Sequence, residues 1–552
     1  MYMKLIINKI KSLKYEVAVF IVFVVSRVPG LGYDTFNTDV WKWKARIFDF
    51  GSGVFNLNFI QTIQKYHPGV TLMWIGTVAV KFFNLYYDIV YKSPPPNNDI
   101  SVIFQLHFLQ KLFIVLVIGF SLSLIFYGIR KIFDLKYSVI LLSFLVIEPF
   151  YVALTRELHL EGLMATFMMA SFVWFYLYLQ DKRKTVRLLI SALFASLSVL
   201  TKTSSIFIVL FVIFTSIYYD VVSVNKADKL FLTFKLLKIK DILKLNLKYL
   251  FLFGLFFFLI WPAMWTNAIL AIQTMYRGIF TIGLDRGHIQ LFFGKSTLDP
   301  GPFFYPVVFW LRSSVYLVLG LVGFFFVSRK LKIEKRKFSY LAFMFAFLLL
   351  LELTFPSSKL DRYFLPIQMI LWIPSAFFYE YLLNSLKIGN YKFNYLIFLL
   401  FILPGALLLF FIHPDYFSYY SPLGGGLKSG MNIIEPKWMI GQKQIIIYLE
   451  GKLKSGKYVT FKSGESLENT KDKSKKLTVA FQEKYYTQIW PFIRKIGGWA
   501  VIEDLIPQAR ETNIFIYPVW DDIPINETRF TLKYIDSIFL RGVKLYNVYE
   551  RI

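Results

Sequence analysis

The chain has 552 residues, of which 56% are hydrophobic, 19% aromatic and only 18% charged, with no Cys and a net charge of +27. Soluble domains run nearer 45–50% apolar and about 25% charged, and a mean hydropathy of +0.52 over the whole length excludes a soluble enzyme, a disordered chain and a protein with one anchor. Without Cys there are no disulfides, thiolate metal sites or Cys nucleophiles.

The start is basic (Lys4, Lys9, Lys11, Lys14) and runs into apolar residues 16–29. It resembles a signal peptide but lacks a small-x-small cleavage site and ends in Ser26-Arg27-Val28-Pro29-Gly30, so it reads as an uncleaved first span. A spanning helix needs roughly 20 mostly apolar residues. Further runs lie near 107–129, 137–152, 160–180, 187–200, 204–220, 249–265, 306–327, 338–355, 364–383 and 393–412, which predicts about eleven transmembrane helices. With the N-terminus inside, the inner segments hold 26 Lys or Arg in 76 residues, whereas the outer loop 31–106, equally long, holds six. Basic residues favour the cytoplasmic side, so the charge fixes the orientation and needs no nucleic-acid partner. Residues 70–91 could pass for a span, yet they carry Lys81, Asn84 and Asp88 and would invert every later loop. They read as an interfacial or re-entrant helix.

Residues 1–413 therefore form a transmembrane domain, with large outer loops at 31–106 and 266–305. After about residue 413 Gly, Lys and Glu increase. The runs 477–481 and 513–517 read as buried strands, which predicts a small extracytoplasmic α/β domain over 414–552.

Ionisable groups collect on the outer side. All five histidines (His67, His107, His159, His288, His413) fall there, with Asp39, Glu148, Glu157, Glu161, Asp285, Asp299 and Asp361. Such groups at membrane depth are usually functional. Asp39, shortly after the first span, suits a general base toward an acceptor hydroxyl, or equally a cap for the helix beginning at Val40. In Thr155-Arg156-Glu157-Leu158-His159-Leu160-Glu161 the two acids stand four apart and are expected on one helix face. Lys202 interrupts two apolar runs at the outer surface, where a lysine suits a lipid phosphate or simply snorkels.

In chain order these segments resemble the GT-C glycosyltransferases of the protein O-mannosyltransferase and lipid A aminoarabinose-transferase superfamily, prokaryotic branch. The likeness is carried by Asp39, His67-Pro68-Gly69-Val70, the set Arg156, His159 and Glu161, and then Lys202. It continues through Asp299-Pro300-Gly301-Pro302 with Arg312, Lys359-Leu360-Asp361-Arg362-Tyr363, and Tyr416 to Gly425. The chain departs from the pattern at Val40, where relatives have a second acid, and at Glu161, where Asp is usual. It also departs at Glu435-Pro436-Lys437-Trp438-Met439-Ile440-Gly441, where they carry a Gly-Trp-Gly-Glu-Gly run.

The resemblance implies a polytopic α-helical membrane protein of GT-C fold in the plasma membrane. The implied reaction is transfer, with inversion, of one sugar from a polyprenyl-phosphate donor to a protein, lipid or glycan acceptor on the non-cytoplasmic face. It implies Asp39 as catalytic base, with Arg156, Glu157, His159, Glu161, Lys202, His67, Asp299, Lys359, Arg362 and Tyr363 binding substrate. A divalent metal stays undecided, since no spacing such as H-E-x-x-H appears. A lipid or sugar transporter, an oligosaccharide-block transferase and an inactive paralogue are the competing readings.

Overall fold

The computed structural model describes residues 13–552 except 97–98, 182–183, 225–229, 233–238, 279, 281–288, 387–390, 463–464, 471–473, 506–508 and 522–530. Helices dominate its first three quarters. α1 (Lys14–Arg27) leads through a loop to α2 (Val40–Phe55), α3 (Val70–Tyr91) and the long α4 (Ile100–Ile132). Next come α5 (Leu135–Ile147), α6 (Pro149–Thr155), α7 (Glu161–Gln180), α8 (Thr185–Thr201), α9 (Phe207–Val221), α10 (Ile239–Ile260) and α11 (Ala263–Arg277). The helical part ends with α12 (Phe304–Arg312), α13 (Val315–Val327), α14 (Ile333–Thr354), α15 (Leu365–Ser385) and α16 (Tyr391–Ile412).

Among the described residues four helices, α4, α7, α10 and α14, are long and apolar enough to cross a membrane, or up to six if each of two bent pairs counts as one span. The segments Thr185–Thr201, Thr203–Tyr219 and Leu396–Ile412 are shorter apolar helices. Two runs expected as single spans are therefore broken. In 137–152, α5 and α6 meet at 69°. Glu148 precedes Pro149, whose ring pushes the preceding residue out of the helical region, and Glu148 is extended at ψ 116°. In 306–327, α12 and α13 meet at 109°, where Ser314 caps α13 by accepting from the Leu317 N–H at 3.3 Å. The buried Glu148 carboxylate links both bends. It accepts from Ser314 N–H (2.9 Å), Ser314 Oγ (2.6 Å) and Gln368 Nε2 (3.1 Å).

α7 lies at the centre, with its whole apolar window buried. It packs closely on α8 and against α4 and α15. Its first residue, Glu161, is thereby fixed at the middle of the bundle's end. Residues 70–91 form one helix packed on α2 and α4, with an exposed apolar side of Phe82, Leu85, Tyr86 and Ile89. Before it, Gly69 has φ +60°, and a Cβ there would stand 2.5 Å from the Trp43 ring. Only glycine fits that approach.

Beyond residue 413 lie α17 (Gly426–Ile433), α18 (Gln442–Lys454) and α19 (Glu483–Lys495). Two short antiparallel pairs come earlier in the chain, β1 (Val222–Val224) with β2 (Leu230–Leu232) and β3 (Gln290–Phe292) with β4 (Lys295–Thr297). Here the strands are β5 (Thr478–Phe481), β6 (Trp499–Ile502), β7 (Ile514–Pro518), β8 (Leu532–Leu540) and β9 (Val543–Arg551). They form a five-stranded mixed sheet ordered β6-β5-β7-β9-β8. β5 pairs parallel with β6 and β7, and β9 pairs antiparallel with β7 and β8. The two strands expected from sequence are β5 and β7, and both are buried along their whole length. This sheet region is bonded to the loop after α1 and to the first turn of α2. Trp41 Nε1 donates to Thr487 O at 2.7 Å, and Gln442 Nε2 donates to Phe36 O at 3.1 Å.

Candidate active site

Three helix boundaries meet where the site forms. Glu161 opens α7, where free N–H groups and the helix dipole favour a carboxylate; Lys202 closes α8, where a cation is favoured. Packing of α7 on α8 joins them, with Lys202 Nζ 3.0 Å from Glu161 Oε1. Arg362 enters from the 3₁₀ turn Asp361–Phe364 ahead of α15 and places Nε 3.3 Å from the same oxygen. The Tyr363 ring lies under Lys202, with Nζ 3.5 Å from its centroid.

The other Glu161 oxygen bonds His159 Nδ1. His159 Nε2 faces Asp39 Oδ2 at 3.3 Å, giving the line Glu161–His159–Asp39. Arg362 also approaches Asp39 Oδ2, at 3.8 Å. Asp39 stands at the N-cap position of α2, yet its side chain makes no cap bond. The carboxylate is turned toward His159 instead, which sets the capping reading aside. Its side chain is 26% exposed, against 1% for Glu161 and 6% for His159. Asp39 is the acid of this line that an incoming molecule can reach.

Electrostatics follow from the pairing. Burial disfavours an ionised Asp39, but the hydrogen bond and charge of His159, with Arg362 and Lys42, outweigh it and hold the carboxyl below its ordinary range. Burial likewise disfavours a charged His159, yet Glu161 and Asp39 raise it. His67 goes the other way. Burial, then the nearby Lys202, push it down to about 3, so it stands neutral, with Nδ1 3.2 Å from Thr203 Oγ1.

Arg156 and Glu157 point elsewhere. Residues 156–160 are a break between α6 and α7, so Glu157 and Glu161 do not share the helix face expected of them. Glu157 accepts from Thr35 Oγ1 (2.6 Å) and Asn37 Nδ2 (3.0 Å) and pairs with Lys111 at 3.4 Å. Arg156 pairs with Asp34 and donates to the backbone oxygens of Arg27 and Pro29. These buried groups fasten the loop between α1 and α2. Asn37 Oδ1 in turn accepts from the Asp39 N–H at 3.0 Å, so Glu157 positions Asp39 through Asn37.

Lys359 and Asp299 form a third pair, at 2.7 Å, and Lys359 also donates to Pro356 O. Among the described contacts neither touches the Asp39 cluster. Asp361 pairs with Arg312 at 2.9 Å, and Arg312 spends its other donors on Phe417 O, Tyr419 O and Tyr420 Oη. His107 bonds Thr35 O and His413 bonds Tyr416 Oη, both outside the cluster. Asp285 and His288 lie outside the described residues. Among the described residues no three His, Asp or Glu converge to hold a metal ion, and Asp39, His159 and Glu161 are committed to each other and to cations.

The sequence reading missed two residues beside this cluster. Arg46 lies seven residues after Asp39, two turns along α2 and on the same face, close enough to sense the charges of Asp39 and Tyr66. It covers the Trp43 ring at 4.7 Å and has no carboxylate partner among the described residues. Helical spacing from Asp39 could have found it. Trp438 comes from the segment that departs most from the family pattern. Its ring meets His159 edge-on at 5.0 Å and underlies Arg362 at 5.2 Å, and its buried indole N–H has no partner among the described residues.

No protein-family model matches the chain, and no curated protein matches it in sequence. Two solved structures are similar along most of their length. ArnT from Cupriavidus metallidurans, bound to undecaprenyl phosphate, shares 11% identity over 97% of this chain and 98% of its own, with a TM-score of 0.46. The oligosaccharyltransferase AglB from Archaeoglobus fulgidus, in complex with an inhibitory peptide and a dolichol-phosphate, shares 10% identity over 96% of this chain and 74% of its own, with a TM-score of 0.43.

Proposed function

We propose that this chain is a membrane glycosyltransferase that moves one sugar from a polyprenyl-phosphate donor to a hydroxyl-bearing acceptor, with inversion, on the non-cytoplasmic face of the plasma membrane. The observation that carries this reading is the convergence of Asp39, His67, His159, Glu161, Lys202, Arg362 and Tyr363. They come from separate segments of the family resemblance, yet they gather along the Asp39–His159–Glu161 line, which ends on one partly exposed carboxylate. The basic inner loops and the apolar helices support the membrane placement and orientation.

In the proposed step the acceptor oxygen attacks the anomeric carbon from the face opposite the phosphate. The bond from that carbon to the phosphate oxygen breaks, and its electrons leave with polyprenyl phosphate. Asp39 takes the acceptor proton. The leaving phosphate needs positive charge more than a proton, and Arg46, Lys202 and Arg362 supply it. At rest His159, and after it Arg362 and Lys42, stabilise Asp39 as an anion and make it a weak base. A phosphate that draws Arg362 away removes part of that stabilisation when the donor is in place. Tyr363, partly exposed, offers an aromatic face to the sugar, while the buried Trp438 packs against His159 and Arg362 and holds them in place.

The test is release of polyprenyl phosphate from a labelled polyprenyl-phosphate sugar by the purified protein. Turnover in wild type, falling about 10²–10⁴-fold in Asp39→Asn with donor binding kept, is the expected result. Vesicle transport of the intact donor without release would favour a transporter instead.

A further inference from the structure

Away from the Asp39 line, across the loop that Arg156 fastens, lies a cavity of about 730 Å³. One wall is the outer end of α1 and the chain after α16, with Gly30, Tyr33 and His413. The other wall comes from α18 and α19 of the sheet region. Along α18, Lys443, Ile446, Ile447, Leu453 and Lys454 face it, and α19 adds Phe492 and Lys495. Aliphatic and aromatic groups thus line the middle, with lysines around them.

The state of those lysines separates this cavity from the Asp39 line. At the Asp39 line every cation but Arg46 is paired with a carboxylate. Here Lys443, Lys454 and Lys495 have no carboxylate partner among the described residues, and Lys495 rests only on the Tyr33 and Phe104 rings. Two acids face the cavity. Asp34 is already neutralised by Arg156 and Lys111, which leaves Glu450 against three lysines.

We propose that this cavity binds an anionic membrane phospholipid, with the phosphate among Lys443, Lys454 and Lys495 and the upper acyl region against Ile446, Ile447 and Phe492. A lipid fits better than a free anion because the lining between the lysines is apolar and one wall is the end of an apolar helix. Basic residues at a membrane surface are the usual readers of anionic headgroups. The site rests on the membrane placement proposed above but not on sugar transfer. A lipid held there would brace the sheet region against the loop carrying Asp39.

The experiment uses the full chain in detergent micelles, with fluorescent phosphatidylglycerol and phosphatidylcholine as probes. Wild type should bind phosphatidylglycerol with clear preference. Each single change, Lys443→Gln, Lys454→Gln or Lys495→Gln, should weaken it several-fold, and the triple variant about tenfold to a hundredfold. Phosphatidylcholine binding and binding of the polyprenyl-phosphate donor should stay as in wild type. The singles alter exposed side chains, so the graded loss can be read even if the triple variant folds poorly. Unchanged phosphatidylglycerol binding in all singles, equal binding of phosphatidylcholine, or competition by inorganic phosphate would each overturn the proposal. Displacement of phosphatidylglycerol by the donor would also overturn it, by assigning the cavity to the donor's path.

Discussion

Arg156 and Glu157 belong to one cluster of charges, while His159 and Glu161, two residues further along, belong to another. Arg156, Glu157, Lys111 and Asp34 have side chains at most 3% exposed, and each is paired and hydrogen-bonded to the loop between α1 and α2. The second cluster is charged too, but it ends on Asp39, 26% exposed, with Arg46 nearby lacking a carboxylate partner among the described residues. Burying charge is costly in both places. The first cluster offsets that cost with a complete network and holds a backbone still. The second leaves one acid partly exposed, which is what the proposed role of Asp39 as a base requires.

The largest effect expected from breaking this contrast is structural. Removing one partner of a fully buried pair costs about 3–5 kcal/mol. Arg156→Ala or Lys111→Met should therefore lower the melting temperature sharply and reduce the folded yield, as read by thermal unfolding in detergent. A variant that melts like wild type would show that the first cluster does not hold the fold.

A smaller effect falls on the second cluster. Lys202→Gln and Arg362→Gln should each weaken donor binding about tenfold to a hundredfold, the scale of one charge-assisted contact at about 1.5–3 kcal/mol. Equal donor affinity in both variants would return the phosphate to Arg46 alone.

The next test is pH. His159 is raised above its ordinary value of 6.5 by Glu161 and Asp39, so its contribution to stability is full below that value and is lost as pH rises through the folded-state pKa. The melting temperature should decline on the alkaline side, and His159→Gln should flatten that part of the decline. An unchanged pH profile in the variant would mean that the imidazole does not carry the charge. The smallest effect belongs to Lys359 and Asp299. Asp299 is half exposed, so Asp299→Asn should cost only about 0.2–1 kcal/mol and leave turnover alone.

Much of this was legible in the sequence, because the groups concerned sit at helix ends, and hydropathy locates helix ends. Asp39, His159, Glu161 and Lys202 stand out that way, Arg362 comes only from the family resemblance, and β5 and β7 follow from short apolar runs. Other features were hidden for physical reasons. The i,i+4 reading of Glu157 and Glu161 assumed that the helix ran through 156–160, whereas the chain breaks there and sends the two acids to different partners. The 109° bend at Ser313 and Ser314 leaves no mark on hydropathy, because both halves are apolar. Glu148, which fastens that bend, read only as an unusual outer acid. Trp438 reaches His159 from far along the chain, a contact that only the packing of the sheet region creates.

The central claim is that Asp39 reacts while the Arg156 cluster only supports, and single-turnover sugar transfer by Asp39→Asn tests it most directly. The acceptor should carry a hydroxyl, and the protein preparation should melt at the wild-type temperature. Asn keeps the size of the side chain and removes its basicity, so the account predicts transfer slower by about 10²–10⁴-fold with labelled donor still bound. Transfer at close to the wild-type rate by that variant would contradict it.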